Sequence, residues 1–415
     1  MKNYLKSYRI HLKVLGPVFI GSGKELSKKE YLFYKNNQIA VIDIAKFYLE
    51  LKKIKKLNSF EAFMLDEHEN LGVWIKKNQI NNSIIDRCIK YTLDKGDIEE
   101  TKRRNVMLEF VKDPYGNPYV PGSSLKGMFR TIFLADRLIN HSKDYTIQRK
   151  QFKEKVFEKE TNKKRYLSRN IQDIETKTFR TLHRSDTRVD DAVNDIMAGF
   201  IVSDSEPLSV EDLTLAQKVD VHVKKGAKNL PSVRECLKPG TDIVFTVTID
   251  TSICPYTKQD IIESINYFDD NYNKYFVEPF TAVEYIDDGS VFLGGGSGYA
   301  SKTAVYPLFD GEDSEQTVRI VQQIMVNTTT FDKKTRRNLH KHEDDLRLYG
   351  ISPHTIKCTY YHDQLLQMGL CQLDKIEELN WYLGNQVSAF SFSFKGQYKE
   401  EALWVYCILI KVIVW

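Results

Sequence analysis

The sequence predicts an α+β fold in two halves, and three observations carry that prediction. Apolar–polar alternation of the strand type opens the chain and returns after residue 198. Helical apolar spacing fills stretches between, notably 44–93 and 128–138. Clusters of glycine, proline and asparagine punctuate the joins. At 415 residues the chain is long enough for two or three domains and a large core. Its 42% hydrophobic and 28% charged content suits a soluble globular protein. A net charge of +4 means that any surface for nucleic acid must be local. Six cysteines, at 88, 236, 254, 358, 371 and 407, are scattered and form no CxxC pair. That spacing argues against a structural zinc or a redox dithiol and for reduced thiols in a cytoplasmic protein. Residues 1–9 carry no apolar signal region, so no membrane association is expected.

In chain order, Tyr8 to Ile20 reads as an opening strand that ends at Gly21-Ser22-Gly23. A hairpin follows, with Tyr31–Tyr34 and Gln38–Ile42 joined by Lys-Asn-Asn. Helices take 44–93, with Phe60, Phe63 and Met64 on the apolar side. Val106–Val111 reads as a strand and Asp113–Pro118 as turn chemistry. Ser123 and Ser124 are N-cap residue types, so a helix is expected from there to Leu138. Residues 141–190 are rich in lysine and arginine. They read either as an inserted basic arm or as a solvated charged helix in which Glu154, Glu158 and Glu160 offset part of the charge.

The second half repeats the grammar. Strands are expected at Ala198–Asp204, Leu213–Val223 and Asp242–Asp250, and a helix at Asp260–Asn271. A strand then runs from Val291 into a glycine loop, and a further helix lies near Ser314–Phe331. Leu403–Trp415 is apolar and β-branched, too short for a membrane span and interrupted by Lys411. It reads as a non-native extension rather than a final core strand. The expected division is 1–195, 196–378 and an atypical apolar tail at 379–415.

Three glycine- or serine-rich segments with a lysine stand out. The first is Gly21, Ser22, Gly23 and Lys24. The second is Gly122, Ser123 and Ser124, followed by Lys126 and Arg130. The free amides of a helix start there would attract an anion, and the two cations, four apart, share a face; the same residues also read as an ordinary capped helix with two surface cations. The third is Gly294, Gly295, Gly296, Ser297 and Gly298, followed by Lys302. Exposed amides and close backbone approach suit such a loop to a phosphate chain such as an RNA backbone, the alternative being a structural glycine turn. From Gly296 the spacing nearly matches a nucleotide P-loop, but Ser301 replaces its second glycine and no later strand ends in an aspartate for magnesium. His340–Asp345 and the His362-Asp363 pair read as solvated surface, and neither GxSxG nor HExxH is present. His11 sits in a strand pattern and could face outward. No metal, cofactor or catalytic set is expected.

These segments together resemble the RAMP superfamily of CRISPR effector proteins, in particular subunit five of the type III-A (Csm) interference complex. The supporting strings are Gly16–Gly23 with Glu25–Tyr31, Tyr119–Gly127, Phe200–Ser205, Leu293–Gly298, and Ile351–Lys357 before Met368–Cys371. The likeness spans about residues 5 to 375. It implies two RRM-like (ferredoxin-like) domains with insertions. It also implies a non-catalytic subunit that caps the crRNA 3′ end, beside the backbone Csm subunits, and supports crRNA 3′-end maturation in antiviral defence by recruiting host nucleases. The fifteen residues named in the three segments are then the candidate RNA contacts. The competing expectation is a metal-independent endoribonuclease of the same superfamily, with His11 or another histidine as acid–base, and a third is a purely structural assembly subunit with no RNA contact.

Overall fold

The computed structural model describes residues 4–98, 106–157, 163–185, 187–222, 226–278, 280, 283–310, 317, 320, 329–332, 337–340 and 355–379. The first strands are β1 (Leu5–Val14), β2 (Gly21–Ser27), β3 (Tyr31–Phe33) and β4 (Gln38–Ile42). Four helices follow: α1 (Ile44–Lys53), α2 (Leu57–Leu65), α3 (Leu71–Lys77) and α4 (Asn82–Cys88). Next come β5 (Ile89–Asp94), β6 (Val106–Phe110), α5 (Gly122–Asn140), α6 (Thr146–Phe157), α7 (Lys163–Phe179) and β7 (Phe200–Val202). Then β8 (Leu213–His222), β9 (Gly226–Leu237), β10 (Asp242–Asp250), α8 (Lys258–Tyr272), β11 (Ser290–Phe292) and α9 (Val305–Leu308). The last are β12 (Thr329–Asp332), β13 (Arg337–His340), β14 (Ile356–Tyr361), β15 (Gln364–Gln367) and β16 (Leu370–Leu379).

The first sheet has the order β11-β16-β1-β10-β7. Alternation decides which face of β1 is buried: Tyr8, Ile10, Leu12 and Val14 point inward. They run antiparallel to β10 in a register that sets Ile10 opposite Phe245. Helices α5 and α8 supply the apolar stripes that cover such a sheet, with Leu125, Phe129 and Ile132 on one and Ile261, Ile265 and Phe268 on the other. Phe129 meets Phe200 edge-on at 5.2 Å, and Phe133 stacks on Tyr256 at 3.9 Å. In chain order β1, α5, β7, β10, α8 and β16 form a β-α-β-β-α-β series whose strands lie 4-1-3-2 in space.

The second sheet has the order β2-β6-β9-β8-β5-β4-β3, with β14 and β15 branching from β8. Helices α1–α4 insert between β4 and β5 and make a satellite core from Phe47, Phe60, Phe63 and Trp74. Among the described residues, both sheets draw strands from either side of residue 195. The described residues up to Glu378 belong to one compact unit. Between β5, β6 and β9, the fully buried Glu235 accepts from Tyr91 at 2.7 Å, Lys112 at 2.6 Å and the Phe110 amide at 3.0 Å. Burial and this carboxylate push the Tyr91 phenol well above its ordinary pKa.

Several expectations change. Gly21–Gly23 does not end a strand; it opens β2, which pairs with β6 across a register shift between Gly21 and Glu25. Strand β9, which the sequence pattern does not announce, pairs with β8 and buries Val233 and Leu237 on one face and Cys236 on the other. The stretch 141–190 contains two helices, α6 and α7, that bury Phe152, Val156, Ile174 and Phe179 in the main core; residues 158–162 lie outside the described ones. Most of Ser314–Phe331 also lies outside them, and its last three residues belong to β12 rather than a helix. The apolar tail lies outside them too. The Lys-Asn-Asn hairpin forms as expected, with Asn36 and Asn37 at φ 54° and 62°. Five cysteines are free and buried among the described residues. Burial pushes Cys254 up to about 11 and Cys358 to about 12, so neither is poised as a nucleophile. No described helix is long and apolar enough to cross a membrane.

Candidate nucleic-acid interface

Three segments that are far apart in sequence line one cleft of about 460 Å³. Ile20 and Gly21 come from the start of β2. Ser123, Ser124, Gly127, Met128, Thr131 and Ile132 come from α5, and Gly294, Gly295, Ser301 and Lys302 from the glycine loop. Phe268 and Phe292 complete the lining. The size is that of ligand sites.

Backbone contacts explain why glycine stands where it does. Gly294 has φ +77°, and a Cβ there would lie 2.3 Å from the Phe19 carbonyl oxygen. The Gly295 amide donates to that same oxygen at 2.7 Å, which pins the loop to the chain just ahead of Gly21. At Gly122 a Cβ would lie 2.5 Å from the Val202 carbonyl oxygen, so α5 starts pressed against the exit of β7. The Asp204 carboxylate accepts from the Gly122 amide at 2.7 Å, and the Ser205 hydroxyl accepts from the Val120 amide at 2.9 Å. Gly127 is different: a Cβ there would meet nothing within 4 Å, and the residue faces the cleft.

Helix α5 therefore starts one residue earlier than the serines imply. Pro121 holds the N-cap position, and neither serine caps the helix. Its first amide is not free for an anion, because Asp204 occupies it. Ser123 is exposed and Ser124 half-buried, and both line the cleft instead.

The cations separate into two kinds. Arg130 is committed to the protein. Its Nη1 is 2.8 Å from Asp195, its Nη2 is 3.2 Å from Glu175, and its guanidinium stacks on Phe179 at 4.2 Å. It ties α5 to α7, a role hidden from a reading that saw only its spacing from Lys126. Lys126 is half-buried, stays out of the cleft lining, and has its pKa lowered by burial. Lys302 is exposed on the cleft wall and donates to the Gly294 carbonyl at 2.5 Å. Lys24 is exposed on β2 outside the lining, beside Gly23 at φ +82°. Ser22 donates to Glu109 at 3.3 Å.

The glycine loop faces two ways. Gly294 and Gly295 line the cleft, while Gly296 and Gly298 rest on the side chains of Arg234 and Lys357. Ser297 is buried and accepts from the Ser301 hydroxyl at 3.0 Å. Among the described residues a three-residue 3-10 turn and the four-residue α9 come directly after it, so no P-loop helix stands immediately behind the glycines.

The histidines stand apart. His11 is in β1 with Nε2 3.5 Å from Glu377, outside the cleft lining. His362 is in the β14–β15 turn at φ +50°. His340 is in β13, and residues 341–345 lie outside the described ones. Among the described residues no group of three or more His, Cys, Asp or Glu side chains could hold a metal ion. Phe268, Phe292 and Thr131 were missed as lining residues because they read as core or helix surface. Only their neighbours in space place them here.

Residues 11–299 match the family model of the RAMP superfamily, and the chain is a member of that class. Over 402 residues it is 30% identical to the CRISPR system Cms protein Csm5 of Mycobacterium tuberculosis (strain CDC 1551 / Oshkosh), covering 90% of this chain and 98% of that one. The Streptococcus thermophilus protein of the same name is 28% identical over 318 residues, 73% of this chain and 81% of its own. The chain belongs to the Csm5 family. Its fold resembles one chain of a solved Csm–crRNA–target RNA ternary complex from a type III-A CRISPR-Cas system. The TM-score is 0.57 at 20% identity, over 88% of this chain and 100% of that one.

Proposed function

We propose that the chain is a subunit of a type III-A (Csm) CRISPR complex that grips the 3′ part of the crRNA by its phosphate backbone and carries out no chemistry itself. The observation that supports this reading is the convergence of three glycine/serine segments, with Lys302, on one cleft. Such a cleft offers the Ser123 and Ser124 hydroxyls and the Lys302 ammonium to a phosphate without reading base edges. The relatives' name and the RNA-containing complex that holds the similar fold agree with it. The chain would cap one end of the backbone of Csm subunits and recruit host nucleases to mature the 3′ end.

The first sheet with α5 and α8 has the strand order of an RRM-like (ferredoxin-like) unit. In this reading it is one unit assembled from across the chain, with the second sheet as a platform beside it in place of a second RRM-like domain. An endoribonuclease using His11 finds less support, because that imidazole faces Glu377 away from the cleft.

The test is single-stranded RNA binding by anisotropy across a salt series. Gly127→Glu places a carboxylate in the cleft at a position with open space. It should weaken binding at least tenfold while Gly127→Ala does not. Equal binding by both variants would sink the reading. Cleavage of precursor RNA lost in His11→Ala would establish the alternative.

A further inference from the structure

Outside the cleft, on the far side of the glycine loop, three cations come together on adjacent strands of the second sheet. Arg234 is on β9 opposite Ala216, and Lys357 is on β14 opposite Asp220. Lys218 lies between those positions on β8, at the register shift between Gln217 and Val219. Asp220 pairs with Lys357 at 2.9 Å. Among the described residues no carboxylate makes an ion pair with Arg234 or Lys218. Arg234 and Lys218 are both half-buried. Burial, then repulsion from Lys357, lowers the Lys218 pKa against a smaller attraction to Asp220, with Arg234 adding to the lowering. The Nε and Nη1 atoms of Arg234 are buried with no hydrogen-bond partner. Partly desolvated like charges without counter-charges cost folding free energy, and an anion would offset that cost.

The surroundings join this cluster to the cleft. The Arg234 guanidinium sits over the Phe19 ring at 5.2 Å. Phe19 is the residue whose carbonyl pins Gly295, and its ring borders Gly21. Gly296, at φ +96°, lets the loop lie on Arg234, where a Cβ would be 2.6 Å from Nη1. A chain of phosphates leaving the cleft past Gly295 thus meets an aromatic ring and then a guanidinium and an ammonium that no described carboxylate pairs with. We infer that Arg234 and Lys218, beside Phe19, form a second phosphate seat that continues the RNA path beyond the cleft. Arginine stacked on an aromatic ring suits single-stranded nucleic acid, where ring and guanidinium take a base and its phosphate together.

This inference rests on the cleft reading, and the experiment separates the two. The full chain is titrated with labelled oligouridine RNA at several salt concentrations, as wild type, Gly127→Glu, Arg234→Gln, Lys218→Met and the Arg234→Gln/Lys218→Met double variant. Each lost phosphate contact makes the log–log salt slope shallower by roughly 0.7, so the double variant should lose about 1.4. Lys218→Met should also raise the melting temperature, because it removes a half-buried cation that has no ion-pair partner among the described residues; a merely structural lysine would lower it. Wild-type slope in the double variant, with Gly127→Glu still defective, overturns the second seat and leaves the cleft. No salt-dependent binding by wild type overturns both. A parallel melt with inorganic phosphate distinguishes the source of the anion. Stabilisation by phosphate alone, with unaltered RNA slopes, overturns the RNA assignment.

Discussion

At the scale of single residues, burial decides which polar groups hold the structure and which remain for a ligand. Asp269 is 2% exposed, and its Oδ2 accepts from the amides of Gly289, at 2.7 Å, and Ser290, at 3.3 Å, where the chain turns into β11. Burial outweighs those bonds and pushes its pKa up to about 7. A carboxylate with a raised native pKa contributes stability at acid pH that is lost as pH rises from about 4 through about 7, because the unfolded chain releases its proton first. Asp269→Asn keeps an acceptor for the two amides and cannot ionise. Its melting temperature should vary less between pH 5 and pH 8 than that of wild type, and an unchanged difference would rule out this residue as the source. Arg130 is the opposite case, a cation that is already partnered. Arg130→Ala should cost roughly 1–2 kcal/mol in denaturant melts and leave the RNA salt slope unaltered. The sequence showed that Lys126 and Arg130 share a helical face. It could not show that the acids meeting Arg130 arrive from residues 175 and 195, because those partners are set by tertiary packing.

At the scale of elements, the segments with period-two or helical spacing were legible, and those whose partner decides their form were not. Strand β10 falls at Asp242–Asp250 as read, since its alternation is regular and its inward residues are all apolar. Strand β9 hides because its first half, Gly226–Pro231, is largely exposed and carries little hydrophobic signal. The start of α5 was legible in place but not in mechanism. Its cap comes from Asp204, 82 residues away, rather than from the local serines. This gives the Phe200–Ser205 string a physical task, since Asp204 and Ser205 hold the turn that leads into the helix. Asp204→Ala should cost about 1 kcal/mol, as loss of an N-cap does. Ser123→Ala should cost less, because that hydroxyl caps nothing. Comparable losses in chemical denaturation would mean that the Asp204 contact is not the cap.

At the scale of the whole molecule, mixed α and β character was legible from alternation and spacing, but chain order misleads about assembly. The first sheet takes β1 and β16 as neighbours although almost the whole described chain lies between them. No local pattern carries a pairing of that length, so a boundary drawn along the sequence at 195 cannot reveal it. The pairing has a consequence for where the fold closes. Strand β11, which leads into the glycine loop, pairs with β16 through Ser290–Gln372, Val291–Cys371 and Phe292–Leu370. A chain ending at 369 would lose that anchor and leave β1 with an open edge, so it should lose cooperative unfolding and RNA binding together. A chain ending at Leu379 keeps every described element, and it also sheds the β-branched apolar stretch Leu403–Trp415, which is prone to aggregate wherever it is exposed. Its melting temperature and RNA affinity should match those of the full chain, with higher solubility in sedimentation assays. A drop of several degrees on truncation at 379 would instead make the tail a stabilising part of the fold, and the closing strand would then lie beyond β16.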